Sequence, residues 1–140
     1  MARTVADIMT RDPLTIEANQ SVAESAKLMR QGDTGAIVVL EDGRVSGIVT
    51  DRDIAVRVVA DAKDVTSTSV GEACSGEDLA TVGPDTSLDQ AAKLMRQKNV
   101  RRIPVVERDQ AVGILSIGDL AMEKDAQSAL GDISSARGNL

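Results

Sequence analysis

Apolar and polar positions along this chain trace one pattern, and they trace it twice. In the first copy Leu14-Thr15-Ile16 makes a short β-like run, and Val22, Ala26 and Met29 then recur at i, i+4 and i+7, giving a helix one apolar face. Ser21 opens that helix with Glu24 three residues on, a capping box in which each side chain can satisfy an orphan amide. Two β-rich runs follow, Ala36 to Leu40 and Val45 to Thr50, and the Asp42-Gly43 pair between them predicts a hairpin turn. A second helix is predicted from Arg52 to Ala60, with Ile54, Val58 and Val59 facing inward.

The second copy reads Ala80-Thr81-Val82, then a box of Ser87 and Gln90, then an apolar face of Leu88, Ala92 and Met95. Its hairpin runs are Arg102 to Glu107 and Ala111 to Ser116 around Arg108-Asp109-Gln110, and its last helix is expected to start at Asp119 and continue to Leu130. Duplication is direct: Ala-Lys-Leu-Met-Arg-Gln occurs at 26 to 31 and again at 92 to 97, a shift of 66. At that shift, 16 of the 44 pairs from Asp12 to Ala55 are identical without a gap. Val5 pairs with Val70 at a shift of 65, so the loop between carries a one-residue insertion. The expected organisation is a first repeat over 5–60, a polar linker over 61–69, a second repeat over 70–130 and a polar tail over 131–140.

Composition narrows the chemistry. The 140 residues include no His, Phe, Tyr or Trp and one cysteine, Cys74. Imidazole catalysis, a thiolate metal cluster, an internal disulfide and base stacking on aromatic rings are therefore excluded. No nucleophile has a base at recognisable spacing, so an enzyme is not expected. A net charge of −6 argues against a nucleic-acid partner, though a small anion needs only a few local donors. No run of 18 apolar residues or hydrophobic signal core is present, so a cytoplasmic protein without membrane contact is expected. Cys74 and the helix-face residues Met29 and Met95 read as packing residues, and the scattered acids do not suggest a metal site.

Candidate function sits where the last strand of each repeat meets its last helix. Both corners read Gly, two aliphatics, a hydroxyl, two variable residues and Asp: Gly47-Ile-Val-Thr50-Asp-Arg-Asp53 and Gly113-Ile-Leu-Ser116-Ile-Gly-Asp119. A helix N-terminus can bind phosphate with the hydroxyl as an extra donor, and an Asp one turn in can accept from a ribose diol. The same spacing also serves a plain cap that satisfies the helix's own amides. The boxes at Glu24 and Gln90 use side chains long enough to reach back, whereas both corners use the shorter Asp, which favours a ligand role for the corners.

With Asp7-Ile-Met-Thr, Val100-Arg-Arg-Ile-Pro-Val-Val and the two corners set in a duplicated β-α-β-β-α order, the chain resembles a tandem pair of CBS domains, a free-standing Bateman module, over residues ~5 to ~122. The resemblance implies an α/β (α+β) fold of two pseudo-symmetric repeats, packed through their sheets and helices about a pseudo-twofold axis. It further implies a homodimer and clefts for adenosine compounds such as AMP, ADP, ATP or S-adenosylmethionine, whose occupancy modulates an unidentified partner protein. No cofactor is obligatory, and Mg2+ can arrive with a nucleotide. Carried over residue by residue, the first cleft has Thr50 at phosphate and Asp53 at ribose, with adenine between Thr15-Ile16 and Ala36-Ile37-Val38 and Arg52 beside the phosphate position. The second has Ser116 and Asp119 in those roles, Thr81-Val82 and Arg102-Ile103-Pro104 around the base, and Arg101 and Arg102 at the foot of its hairpin.

With no aromatic ring to stack on, the base would lie between aliphatic walls and be read by main-chain groups. Asp51 beside the first phosphate position would repel a phosphate while Arg52 next to it could attract one, so its effect is undecided. Neutral Ile117-Gly118 beside the second, with Arg101 and Arg102 nearby, favours the second cleft for a phosphorylated ligand, although those arginines can equally be solvated partners of a helix end. The alternative is a non-catalytic dimeric interaction protein with vestigial clefts that binds its partner through the tail.

Overall fold

The computed structural model describes residues 3–74 and 79–125. The elements are α1 (Val5–Ile8), β1 (Thr10–Arg11), β2 (Thr15–Glu17), α2 (Val22–Gly32), β3 (Ala36–Glu41) and β4 (Arg44–Thr50). Then come α3 (Asp51–Asp53), continuing as a π-helical turn over Ile54–Val59, α4 (Val70–Ala73), α5 (Leu88–Lys98), β5 (Arg102–Glu107), β6 (Gln110–Ser116) and α6, described over 117–125. The predicted extension of α6 to Leu130 and the tail over 131–140 lie outside the described residues.

Two three-stranded sheets form, ordered β2-β3-β4 and β1-β6-β5. Each hairpin turns on two residues of positive φ, Asp42 and Gly43 in the first and Arg108 and Asp109 in the second, the left-handed pair that matches strand twist. In the first sheet β2 runs parallel to β3, and the Val38 N–H donates to the Leu14 carbonyl at 3.0 Å. The second sheet has Pro104 at that position, which offers no N–H, and the run at 80–82 is reduced to a single parallel bridge between Val82 and Val105.

The repeats exchange their leading segments. Val5 is fully buried in the core of the second repeat with Ile103, Val105, Leu115 and Met95, while Val70 is fully buried in the core of the first with Ile16, Ile37, Val39 and Met29. Hydrogen bonds repeat the exchange with matched partners: Val5 N–H to the Thr86 carbonyl (2.9 Å) and Val70 N–H to the Gln20 carbonyl (2.7 Å). Bridges Thr4–Ser87 and Ser21–Ser69 complete it, so a pseudo-twofold relation links the halves. The stretch over 61–69 packs on α2, with Ala23 N–H donating to Val65 and Val22 N–H to the buried Thr68.

Three expected inward positions are corrected. In α2 the buried residue between Val22 and Met29 is Ser25, and Ala26 is exposed. Ser25 can be buried because its hydroxyl donates to the Val22 carbonyl at 2.7 Å, which removes the cost of an unpaired polar group. In α5 the same place is taken by fully buried Ala91, with Leu88 and Ala92 only half-buried. Val59 is 61% exposed: the wider turn over Ile54–Val59 keeps Val58 inside and turns Val59 out.

Candidate functional site

Both corners form as strand-to-helix turns, and their hydrogen bonds reverse the expectation about reach. It is the short aspartates that close reciprocal boxes. Thr50 N–H donates to Asp53 Oδ2 (2.9 Å) while Asp53 N–H donates to Thr50 Oγ1 (3.1 Å). Ser116 N–H donates to Asp119 Oδ2 (2.9 Å) while Asp119 N–H donates to Ser116 Oγ (3.0 Å). Ser21 and Ser87 accept from the amides of Glu24 and Gln90, but Glu24 turns instead to Lys27 at 3.3 Å. Capping thus accounts for one oxygen of each corner aspartate, and any ligand role falls to the other.

The corners are pinned alike and differ in what surrounds them. Asp51 N–H donates to the Gly35 carbonyl (2.9 Å), and its counterpart Ile117 N–H donates to the Arg101 carbonyl (2.8 Å). In the first corner the next amide, Arg52 N–H, is also taken, by Asp51 Oδ1 at 2.8 Å. Its counterpart, Gly118 N–H, meets no acceptor among the described residues, because the Ile117 side chain has no oxygen to offer. Asp53 Oδ1 lies 3.8 Å from Arg57 Nε, whereas Glu123 stands at the place matching Arg57, so no arginine there competes for Asp119.

β4 packs against both β5 and β6, which brings the two corners to one cleft of ≈ 1200 Å³. Of the predicted site residues, Thr50, Arg52 and Asp53 line it together with Arg101, Arg102 and Ser116. Thr15, Ile16, Ala36, Ile37, Val38, Thr81, Val82, Ile103, Pro104 and Asp119 do not. Apart from the exposed Thr15 and Thr81 and the half-buried Asp119, these are core side chains, so only their main chain could meet a base. Arg96 of α5 and Lys124 of α6 also line the cleft, and reading the sequence missed them. Arg96 is the arginine of the repeated hexapeptide, but only the packing of α5 beside the corner shows where it faces.

Five cations line this cleft against two carboxylates, Asp51 and Asp53, on a chain whose net charge is −6. Among the described residues none of the five cationic side chains makes an ion pair or hydrogen bond, although Arg57 and Lys27 elsewhere do. A concave surface lined by unpaired cations concentrates anions from solution. No group of three or more His, Cys, Asp or Glu that could hold a metal occurs among the described residues. None of the described helices is long and apolar enough to cross a membrane.

Cys74 is half-buried against the core of the first repeat, in keeping with a packing role. Burial pushes its thiol up, the Asp53 carboxylate adds to this, and Arg57 opposes it. Its reaction with a thiol reagent should therefore keep accelerating with pH beyond the range where an ordinary thiol, near pKa ~8.5, has levelled off. A rate that plateaus as a free thiol's does would contradict this environment.

Fold and cleft together define a pair of exchanged β-α-β-β-α repeats with a shared central cleft. The chain belongs to the CBS domain family: the family model for the CBS domain matches residues 5–60 and again 64–125. The CBS domain-containing protein YhcV of Bacillus subtilis is 43% identical over 135 residues, covering 94% of this chain and 95% of that protein. The CBS domain pair of protein MJ0100, solved with 5-methylthioadenosine and S-adenosyl-L-methionine, superposes with a TM-score of 0.79 at 26% identity, covering 89% of this chain and 97% of that one. A hexameric CBS-CP12 protein from bloom-forming cyanobacteria superposes with a TM-score of 0.78 at 27% identity, covering 99% and 91%.

Proposed function

We propose that the chain is a non-catalytic sensor whose central cleft binds an adenosine nucleotide and passes its occupancy to a partner protein. The observation that carries this reading is the cleft itself, where Thr50 and Asp53 of one corner and Ser116 of the other line one space with five cations that have no partner among the described residues. The neighbour that holds S-adenosyl-L-methionine and methylthioadenosine on the same fold supports the adenosine part. The cations favour a phosphorylated adenosine over S-adenosylmethionine, whose sulfonium they would repel.

The second corner is the better site. Asp119 keeps an oxygen for a ribose diol, Ser116 and Gly118 N–H face phosphate, and Arg101 and Arg102 stand beside them. Pro104 gives the Ala80 carbonyl no N–H to accept, which leaves it for the amino edge of a base, whereas Leu14 in the first repeat is already paired to Val38. A ligand present at 100 times its Kd should stabilise the fold by about 2.7 kcal/mol. Thermal melts with AMP, ATP and S-adenosylmethionine should show upward shifts for the two phosphorylated compounds, and Asp119→Ala should remove most of them. Flat melts for all three compounds would refute the reading.

A second reading has its own support. Val56 and Val59 of the helix after β4, and Ile117 and Met122 of α6, are large apolar side chains each at least half exposed. Two such helices suit a homodimer, and a dimeric interaction protein with vestigial clefts would keep that contact while showing no ligand shift.

A further inference from the structure

The inference drawn here rests on the nucleotide reading and concerns how many nucleotides the cleft admits. At the first corner every amide of the opening turn is satisfied from within: Asp51 N–H by the Gly35 carbonyl, Asp53 N–H by Thr50 Oγ1 and Arg52 N–H by Asp51 Oδ1. The Asp51 carboxylate also fills the space over Gly35, since a Cβ on Gly35 would lie 2.8 Å from Asp51 Oδ2. Glycine at 35 is what lets the carboxylate fold back there. The second corner reverses both choices, with Arg101 in place of Gly35 and Ile117 in place of Asp51.

We propose that Asp51 is an internal stand-in for phosphate: its carboxylate takes the amide and the charge position that a phosphate oxygen would take, so the chain binds one phosphorylated nucleotide, at the Ser116 corner. The closure is both chemical and electrostatic. A phosphate entering the first corner must displace a hydrogen bond of 2.8 Å and then sit against a carboxylate. Arg52, whose side chain has no partner in its own corner, is left to serve the anion held across the same cleft.

The exchange is testable in both directions, because the two choices that close the first corner, Gly35 with Asp51, sit at positions matched by Arg101 and Ile117 in the second. Equilibrium dialysis with ATP should give one equivalent per chain for the wild type. Ile117→Asp, at a side chain 53% exposed and made together with Arg101→Gly to give the room that Gly35 gives Asp51, should place a carboxylate on Gly118 N–H and weaken ATP at least tenfold relative to Arg101→Gly alone while leaving the melting temperature within a few degrees. Asp51→Ala should admit a second, weaker equivalent, with its own melt confirming the fold. A wild type that binds two equivalents, an Arg101→Gly/Ile117→Asp chain that binds like Arg101→Gly alone, or a folded Asp51→Ala chain that stays at one would each overturn the closure by Asp51. A wild type that takes up no nucleotide overturns the nucleotide reading itself.

Discussion

Replacing Ile103 by alanine is expected to destabilise the protein by about 2–5 kcal/mol, the range for truncating a fully buried branched side chain in a core that cannot collapse around the void. Ile103 is fully buried on β5, packed with Val105, Leu115, Met95 and Val5, so the void opens among side chains from four elements. Midpoint temperature should fall by roughly 10 °C or more at a few degrees per kcal/mol. Ile103 also lies on the strand that carries Pro104 and Arg102, so the same change should loosen the wall of the second corner. A melt within 2–3 °C of wild type would mean that the second core is packed differently.

An equally large loss is expected from Val5→Asp, for a reason that depends on the exchange of leading segments. Val5 is fully buried in the core of the second repeat, and an unpaired carboxylate there should cost about 3–5 kcal/mol. The location of the damage is the more telling result. In the milder Val5→Ala variant, amide hydrogen exchange should quicken in β5 and β6 and leave β3 and β4 close to wild type. Faster exchange confined to β3 and β4 would place α1 on its own repeat and contradict the exchange.

Much of this was legible because the chain states its plan twice. The hairpins appear where Asp42-Gly43 and Arg108-Asp109 place them, with strand bounds within a residue of those expected. The exchange was not legible, because matching Val5 to Val70 shows that they are equivalent but not which core each enters. Ser25 was missed since a serine reads as polar until its hydroxyl is seen to bond the Val22 carbonyl. The wide turn over Ile54–Val59 leaves no mark in residue type, and so Val59 was placed on the wrong face.

At the site, the residues of both corners were found by spacing, but their hydrogen bonds were misjudged. Asp is shorter than Glu, and length suggested that it would not reach back; the tight turn at Thr50 and Ser116 brings the amide to it instead. Two separate clefts were expected, yet residues of both corners open into one space, because β4 packs on β5 and β6. That depends on how the repeats dock, and neither repeat encodes it alone. The sequence did flag Asp51 as a charge of undecided effect; the structure shows its carboxylate already bonded to the adjacent amide.

The central claim is that the cleft between the repeats holds a phosphorylated adenosine, and the absence of Phe, Tyr and Trp makes it unusually direct to test. The chain absorbs almost nothing in the near ultraviolet, so an adenine band is read against little background. Protein dialysed against ATP at low salt and passed over a desalting column should carry a 260 nm band that Asp119→Ala lacks and that high salt strips away. A wild-type chain that emerges with no band after dialysis against saturating ATP, AMP or ADP, and whose titrations are flat, would contradict it.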